Sequence, residues 1–137
     1  NTIMTKYRSE QQICLGSASS GISSILLDGG KTVHSRFKIP LKIIDNMELK
    51  IRNQGNLGQL LIMSKCILID EAPMLHRYII EAIDKLLKRL MDNNIPFGGK
   101  DIIFGGDFRQ TLPVIFPEQT KLPLSTNVSK TLIYGMN

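Results

Sequence analysis

The stretch "KCILID", Lys65 to Asp70, carries four apolar or near-apolar residues in a row and stops on two adjacent carboxylates, Asp70 and Glu71. It has no polar alternation. A strand with one face in water alternates; one without alternation is covered on both faces, the habit of strands in parallel sheets. The segment that follows supplies a cover. From Leu75 to Asn93, Ile79, Ile83, Leu86 and Leu90 recur at spacings of four, three and four, and Ile80, Leu87 and Met91 widen the stripe. Glu81, Asp84, Lys85, Lys88 and Arg89 take the other face of that predicted helix. "NNIPFGGK" breaks it, and "DIIFGGD", Asp101 to Asp107, is a second buried strand.

The rest of the chain continues the alternation. Asn1 to Ser9 reads as the tail of a helix, and Gln12 to Ser19 as a short buried strand. "GISSILLDGG" reads as a short helix stopped at Gly29-Gly30. Lys31 to Pro40 is a basic extended or loop segment closed by proline, and Lys42 to Asn56 is a loop with room for a short strand. "NLGQLLIMS" is a short helix; after Asp107 the chain becomes a tail rich in Pro, Ser, Thr and Asn. Apolar strands separated by helices imply crossover connections, hence one α/β domain with a mostly parallel sheet and flanking helices.

At 137 residues and 42% hydrophobic composition the chain is long and apolar enough for one core. Its apolar runs fall far short of the roughly 20 residues that span a bilayer, and its polar first residues carry no secretory signal. Cys14 and Cys66 each sit inside an apolar run, which suits reduced, buried thiols inside a cell. His34 and His76 are far apart and have no zinc-ligand spacing. The net charge of +5 permits an anionic partner without requiring one.

Sites in parallel α/β sheets gather at the carboxyl ends of the strands. Three such ends stand out. The first carries Ser17, Ser19, Ser20 and Gly21; the second, Asp70 and Glu71; the third, Gly105, Gly106, Asp107, Arg109 and Gln110. A hydrophobic strand ending in Asp-Glu is the Walker B pattern, in which Asp70 would hold magnesium, usually through water, and Glu71 would polarise a water for attack on a terminal phosphate. Two glycines let the backbone approach a ligand closely. Arg109 could pair with an acid or phosphate, and Gln110 with a phosphate or the attacking water. Hydroxyls and backbone N–H groups at a helix start suit phosphate oxygens. Lys31, Arg36 and Lys38 add charge, and Phe37 offers a stacking face for single-stranded nucleic acid. The bland alternatives are a solvated pair of acids, a glycine-rich turn, and Phe37 in the core. No G-x-x-x-x-G-K-[ST] occurs in the 137 residues, so the edge lacks a triphosphate cradle.

"ASSGISSILLDGGKTVHSRFKIPL", "LIDEAPMLHR" and "PFGGKDIIFGGDFRQTLPVI" together resemble the PIF-type (petite integration frequency) DNA helicases of superfamily one, especially relatives carried by Helitron-like transposable elements. The likeness covers about Ser17 to Ile115, with gaps at Lys42 to Asn56. It implies a RecA-like core, here a partial motor domain without Walker A, whose P-loop would precede Asn1. It implies an ATP- and magnesium-dependent motor moving 5′ to 3′ on single-stranded DNA and separating duplexes. By position, Asp70 would bind magnesium and Glu71 would be the catalytic base, while Gln110 would sense the γ-phosphate. Gly106, Asp107 and Arg109 would line the nucleotide site. Ser19, Ser20, Gly21, Thr32, His34 and Phe37 fall in segments that contact single-stranded DNA, and Pro113 in the linker between ATP site and DNA. A monomer without membrane contact is expected, inside the cell, in the nucleus or alternatively the mitochondrion.

The later motifs, the arginine finger and the second RecA-like domain are absent from these residues. The 137 residues alone are therefore expected neither to hydrolyse ATP efficiently nor to unwind DNA. Two alternatives stand beside the motor: an inactive transposon-derived remnant or DNA-binding module, and a metal nuclease using Asp70, Glu71 and Asp107 around a metal pair.

Overall fold

Two apolar layers, one on each face of a parallel sheet, account for the uninterrupted strands. The computed structural model describes residues 2–106 and the strand at 131–134. The elements are α1 (Thr2–Ser9), β1 (Cys14–Ala18), α2 (Gly21–Ile25), β2 (Lys31–Thr32), α3 (Val33–Phe37), α4 (Asn56–Met63), β3 (Cys66–Asp70), α5 (Arg77–Met91), β4 (Asp101–Gly105) and β5 (Thr131–Tyr134). Short 3₁₀ turns lie at Ala72–Met74 and Pro96–Gly99. The sheet order is β2-β1-β3-β4-β5, every pair parallel, so β3 with its two acids is central.

On one face Leu15, Ile67, Ile69, Ile102 and Phe104 pack against Ile79, Ile83, Leu86, Leu87 and Leu90 of α5, together with α3, α4 and the loop before α4. On the other, Cys14, Cys66, Leu68 and Ile103 pack under Met4 of α1 and Leu27. Successive strand residues serve opposite layers, so neither parity is free to be polar. Cys14 and Cys66 are register partners on β1 and β3, and both are buried free thiols. None of the described helices is long and apolar enough to cross a membrane.

Helix α5 occupies the middle of its predicted range. The residues just outside it are caps: His76 Nδ1 accepts from Tyr78 N at 3.1 Å, and Asp92 closes the helix in a left-handed conformation.

Two elements differ from the sequence reading, and the loop before α4 is a loop as expected, without the short strand it had room for. Lys31 to Pro40 is neither extended nor loop throughout, because Thr32 Oγ1 accepts from Ser35 N at 3.1 Å and starts the five-residue α3. In the loop before α4, Met47, Leu49 and Ile51 are buried while Glu48, Lys50 and Arg52 are exposed, a strand-like alternation without a strand. Its carbonyls bond to a side chain instead: Arg89 Nη2 donates to Leu49 O at 3.1 Å and Ile51 O at 2.8 Å. Within the predicted tail, residues 131–134 form β5 beside β4.

Two basic residues are likewise structural. Arg36 is 5% exposed and bonds Gly16 O and Gly29 O, each at 3.0 Å. Lys100 is equally buried and bonds Ile62 O and Ser64 O at the end of α4. Burial lowers the pKa of both. The charge that Arg36 was expected to offer an anion is spent inside the fold.

Candidate nucleotide and DNA site

Register lines up the strand ends. Ala18 pairs with Thr32 on one side and with Asp70 on the other, and Ile69 pairs with Phe104. Thr32, Ser19, Ser20, Asp70, Glu71, Gly105 and Gly106 therefore lie along one carboxyl edge of the sheet.

At the centre of that edge β3 makes an abrupt exit. Glu71 takes a left-handed conformation, φ 53° and ψ 37°, which costs a residue with a Cβ and is common where backbone is bent for function. Pro73, in the 3₁₀ turn that follows, suits its fixed φ. The bend separates the two acids. Asp70 Oδ1 accepts from Glu71 N at 2.9 Å and lies against β4, where a Cβ added to Gly105 would stand 2.8 Å from it. Glu71 turns the other way: its Oε2 is 3.0 Å from Ser19 Oγ and 3.0 Å from Ser20 Oγ, at the end of β1.

The serines are themselves fixed. Ser19 N donates to Asp70 O at 3.2 Å, and Ser20 Oγ caps α2 by accepting from Ser23 N at 3.2 Å. The hydroxyls of Ser23, Ser20 and Ser19 hold the Glu71 carboxyl below its usual range by stabilising its charge. Ser23 was not singled out in the sequence. Its signal was there, as the residue three positions after a helix-starting serine.

The glycines also have close neighbours within the fold. A Cβ on Gly106, whose φ is 138°, would lie 2.8 Å from Pro73 Cδ and 3.3 Å from Glu71 Cα. Their smallness admits β3 and its exit turn, and so positions both acids.

Of the residues expected at DNA, Ser19 and Ser20 are half-buried, Gly21 is exposed, and Thr32 and His34 are partly exposed. Phe37 is a correction. It is fully buried among the core side chains and has no face to offer a base; its place at the end of α3 turns it inward. Asp107, Arg109, Gln110 and Pro113 lie outside the described residues.

The donor set fits magnesium in one way only. Among the described residues there is no group of three or more His, Cys, Asp and Glu that could cage a metal. A single carboxylate such as Asp70 is what a magnesium ion needs when water and substrate phosphates fill its other positions. The divergence of Asp70 and Glu71 gives no support to a metal pair.

A parallel sheet between helices, with Asp-Glu at the end of its central strand, defines a RecA-like α/β core. The sequence matches the PIF1-like helicase family over residues 1–132, and the chain belongs to that family. It is 33% identical over 99 residues to the ATP-dependent DNA helicase RRM3 of Saccharomyces cerevisiae, covering 71% of this chain and 14% of that protein. It is 33% identical over 103 residues to the ATP-dependent DNA helicase Pif1 of Psychrobacter, covering 71% of this chain and 15% of that one. Among solved structures, Bacteroides Pif1 bound to single-stranded DNA matches with a TM-score of 0.70 at 29% identity, over 90% of this chain and 29% of that one. The Bacteroides protein in complex with ADP-AlF4 matches with a TM-score of 0.67 at 29% identity, over 90% and 28%. The chain spans about a seventh of the length of these curated relatives.

Proposed function

We propose that this chain is the Walker B portion of an ATP-dependent DNA helicase motor, coupling ATP hydrolysis to 5′-to-3′ movement on single-stranded DNA and to duplex separation. The observation that carries the reading is the Asp70–Glu71 pair on a left-handed bend at the end of the central strand, its two carboxylates aimed at opposite neighbours. Such a split suits two tasks, one acid for a metal and one for a water. The names of the relatives and the nucleotide and single-stranded DNA complexes of the Bacteroides protein point the same way.

Asp70 would hold magnesium through water, and the bound ion would neutralise charge on the phosphates. Glu71 would orient the attacking water and accept its proton. Gly105 and Gly106 keep both acids in place. Ser19, Ser20, Gly21, Thr32 and His34 would meet the single strand at the neighbouring strand ends. Gln110 as γ-phosphate sensor, with Asp107 and Arg109 at the nucleotide, rests on the family motif. The triphosphate cradle would come from residues outside these 137, and the parent protein would work on DNA inside the cell, in the nucleus.

The test is magnesium-dependent ATP hydrolysis, stimulated by single-stranded DNA, in the protein that carries this chain together with its phosphate-binding loop. Glu71→Gln should abolish turnover while ATP binding persists. Ordinary turnover by that variant would remove Glu71 from the mechanism.

A further inference from the structure

The Ser19 and Ser20 hydroxyls reach Glu71 from the segment proposed to meet DNA. Both end on the same carboxylate oxygen, at 3.0 Å each. A serine hydroxyl has one proton to donate. While that proton serves Glu71 it cannot serve another acceptor.

We propose that Ser19 and Ser20 form a latch: in the absence of DNA their hydroxyls, beside that of Ser23, hold the Glu71 carboxylate on the β1 side of the edge, and phosphates of a bound single strand loosen it by taking the Ser19 and Ser20 donors, leaving Ser23 alone against it. The inference rests on the proposed function, since it gives the regulation of the same site.

Three features make the exchange feasible. The main chain is already anchored by Ser19 N on Asp70 O, so only the hydroxyls need turn. The capping bond at α2 uses Ser20 Oγ as an acceptor from Ser23 N, and its proton already has two acceptors in reach, Glu71 Oε2 at 3.0 Å and Ser23 Oγ at 3.1 Å, so it can turn from one to another without breaking the cap. Gly21, next to the serines, is exposed, and among the described residues nothing lies within 4 Å of where a Cβ on it would sit.

Electrostatics drives the same way. A phosphate arriving on the serines places like charge beside the carboxylate, and repulsion at a few ångströms pushes Glu71 off. Ser19 and Ser20 are thus positioning residues, acting on ATP through Glu71.

The experiment compares ATP turnover with and without oligodeoxythymidine in the protein carrying this chain and its phosphate-binding loop. The Ser19→Ala/Ser20→Ala variant should turn over ATP without DNA at close to the DNA-stimulated rate, a rise on the order of ten-fold in basal kcat with KM for ATP unchanged. The Ser19→Thr/Ser20→Thr variant keeps both hydroxyls and should restore the low basal rate. A merely structural role would lower both rates together. A stimulated wild type with an alanine variant still slow in the absence of DNA overturns the latch and leaves the proposed function standing. A wild type that DNA does not stimulate overturns the latch and the proposed function together.

Discussion

Gly105 and Asp70 are in contact across the β3–β4 pair: a Cβ at Gly105 would stand 2.8 Å from Asp70 Oδ1, inside any van der Waals distance. Gly105→Ala must displace the carboxylate. That oxygen ends a side chain but accepts from Glu71 N at 2.9 Å, so moving it costs the fold about that one bond, roughly 0.5–1.5 kcal/mol. Gly106→Ala meets a rigid ring instead, with Pro73 Cδ at 2.8 Å, and does so at a φ of 138°. It should cost about 1–3 kcal/mol. Urea unfolding separates the two variants, and magnesium dependence of ATP turnover should change in Gly105→Ala despite its near-native stability.

Phe37 has two competing assignments with different signatures. A ring stacked on a base would cost affinity for single-stranded DNA, about 1–3 kcal/mol on truncation, and leave stability alone. A fully buried ring does the opposite. Phe37→Ala is expected to lower the unfolding free energy by about 3–5 kcal/mol. DNA affinity measured well below the melting transition should hardly change.

Of the side chains that bond the loop before α4, Arg89 is the one that reaches the carbonyls between its inward residues. Arg89 reaches Leu49 O and Ile51 O while Met47, Leu49 and Ile51 pack inward. Arg89→Met keeps the apolar stem but leaves those carbonyls without their charged donor, a loss of about 1.5–3 kcal/mol. Amide hydrogen exchange should accelerate across 46–53 before any change in the β-sheet. Uniform acceleration throughout the chain would mean that Arg89 supports the whole core and not this loop.

What the sequence reveals and what it hides follow one physical division. Cys66 to Asp70 and Arg77 to Met91 were legible because period and burial are local properties, written in consecutive residues. The Asp70–Glu71 strand end was legible for the same reason. Lys42 to Asn56 is the loop expected, and Met47, Leu49 and Ile51 show why no strand forms there: a period of two reports which residues face a core and not what bonds the backbone between them. Phe37 misled: an aromatic among basic residues looks like a nucleic-acid surface until α3 turns it inward. The bonds from Ser19 and Ser20 to Glu71 bridge 52 and 51 residues. Proximity of that kind comes from strand order, which local pattern does not encode. The strand at 131–134 was hidden among polar residues and is placed by pairing with β4.

The Glu71 carboxylate links that long-range contact to pH. Hydroxyls of Ser23, Ser20 and Ser19 stabilise its charged form, so its pKa in the folded chain lies below that in the unfolded chain. The unfolded state then binds more protons in the window between the two values, and stability rises with pH there. The contribution is fully present above the unfolded carboxyl value and is lost as pH falls through the folded one. Glu71→Gln keeps the shape and removes the titration. The stability difference between wild type and Glu71→Gln should therefore favour wild type most at neutral pH and shrink steadily as the solution is acidified below the ordinary carboxylate range. Ser19→Ala/Ser20→Ala should flatten the same curve by removing two of the donors. Denaturant titrations at a series of pH values measure both. A constant difference from neutral to acid pH would show that the serines do not hold the charged carboxylate in solution.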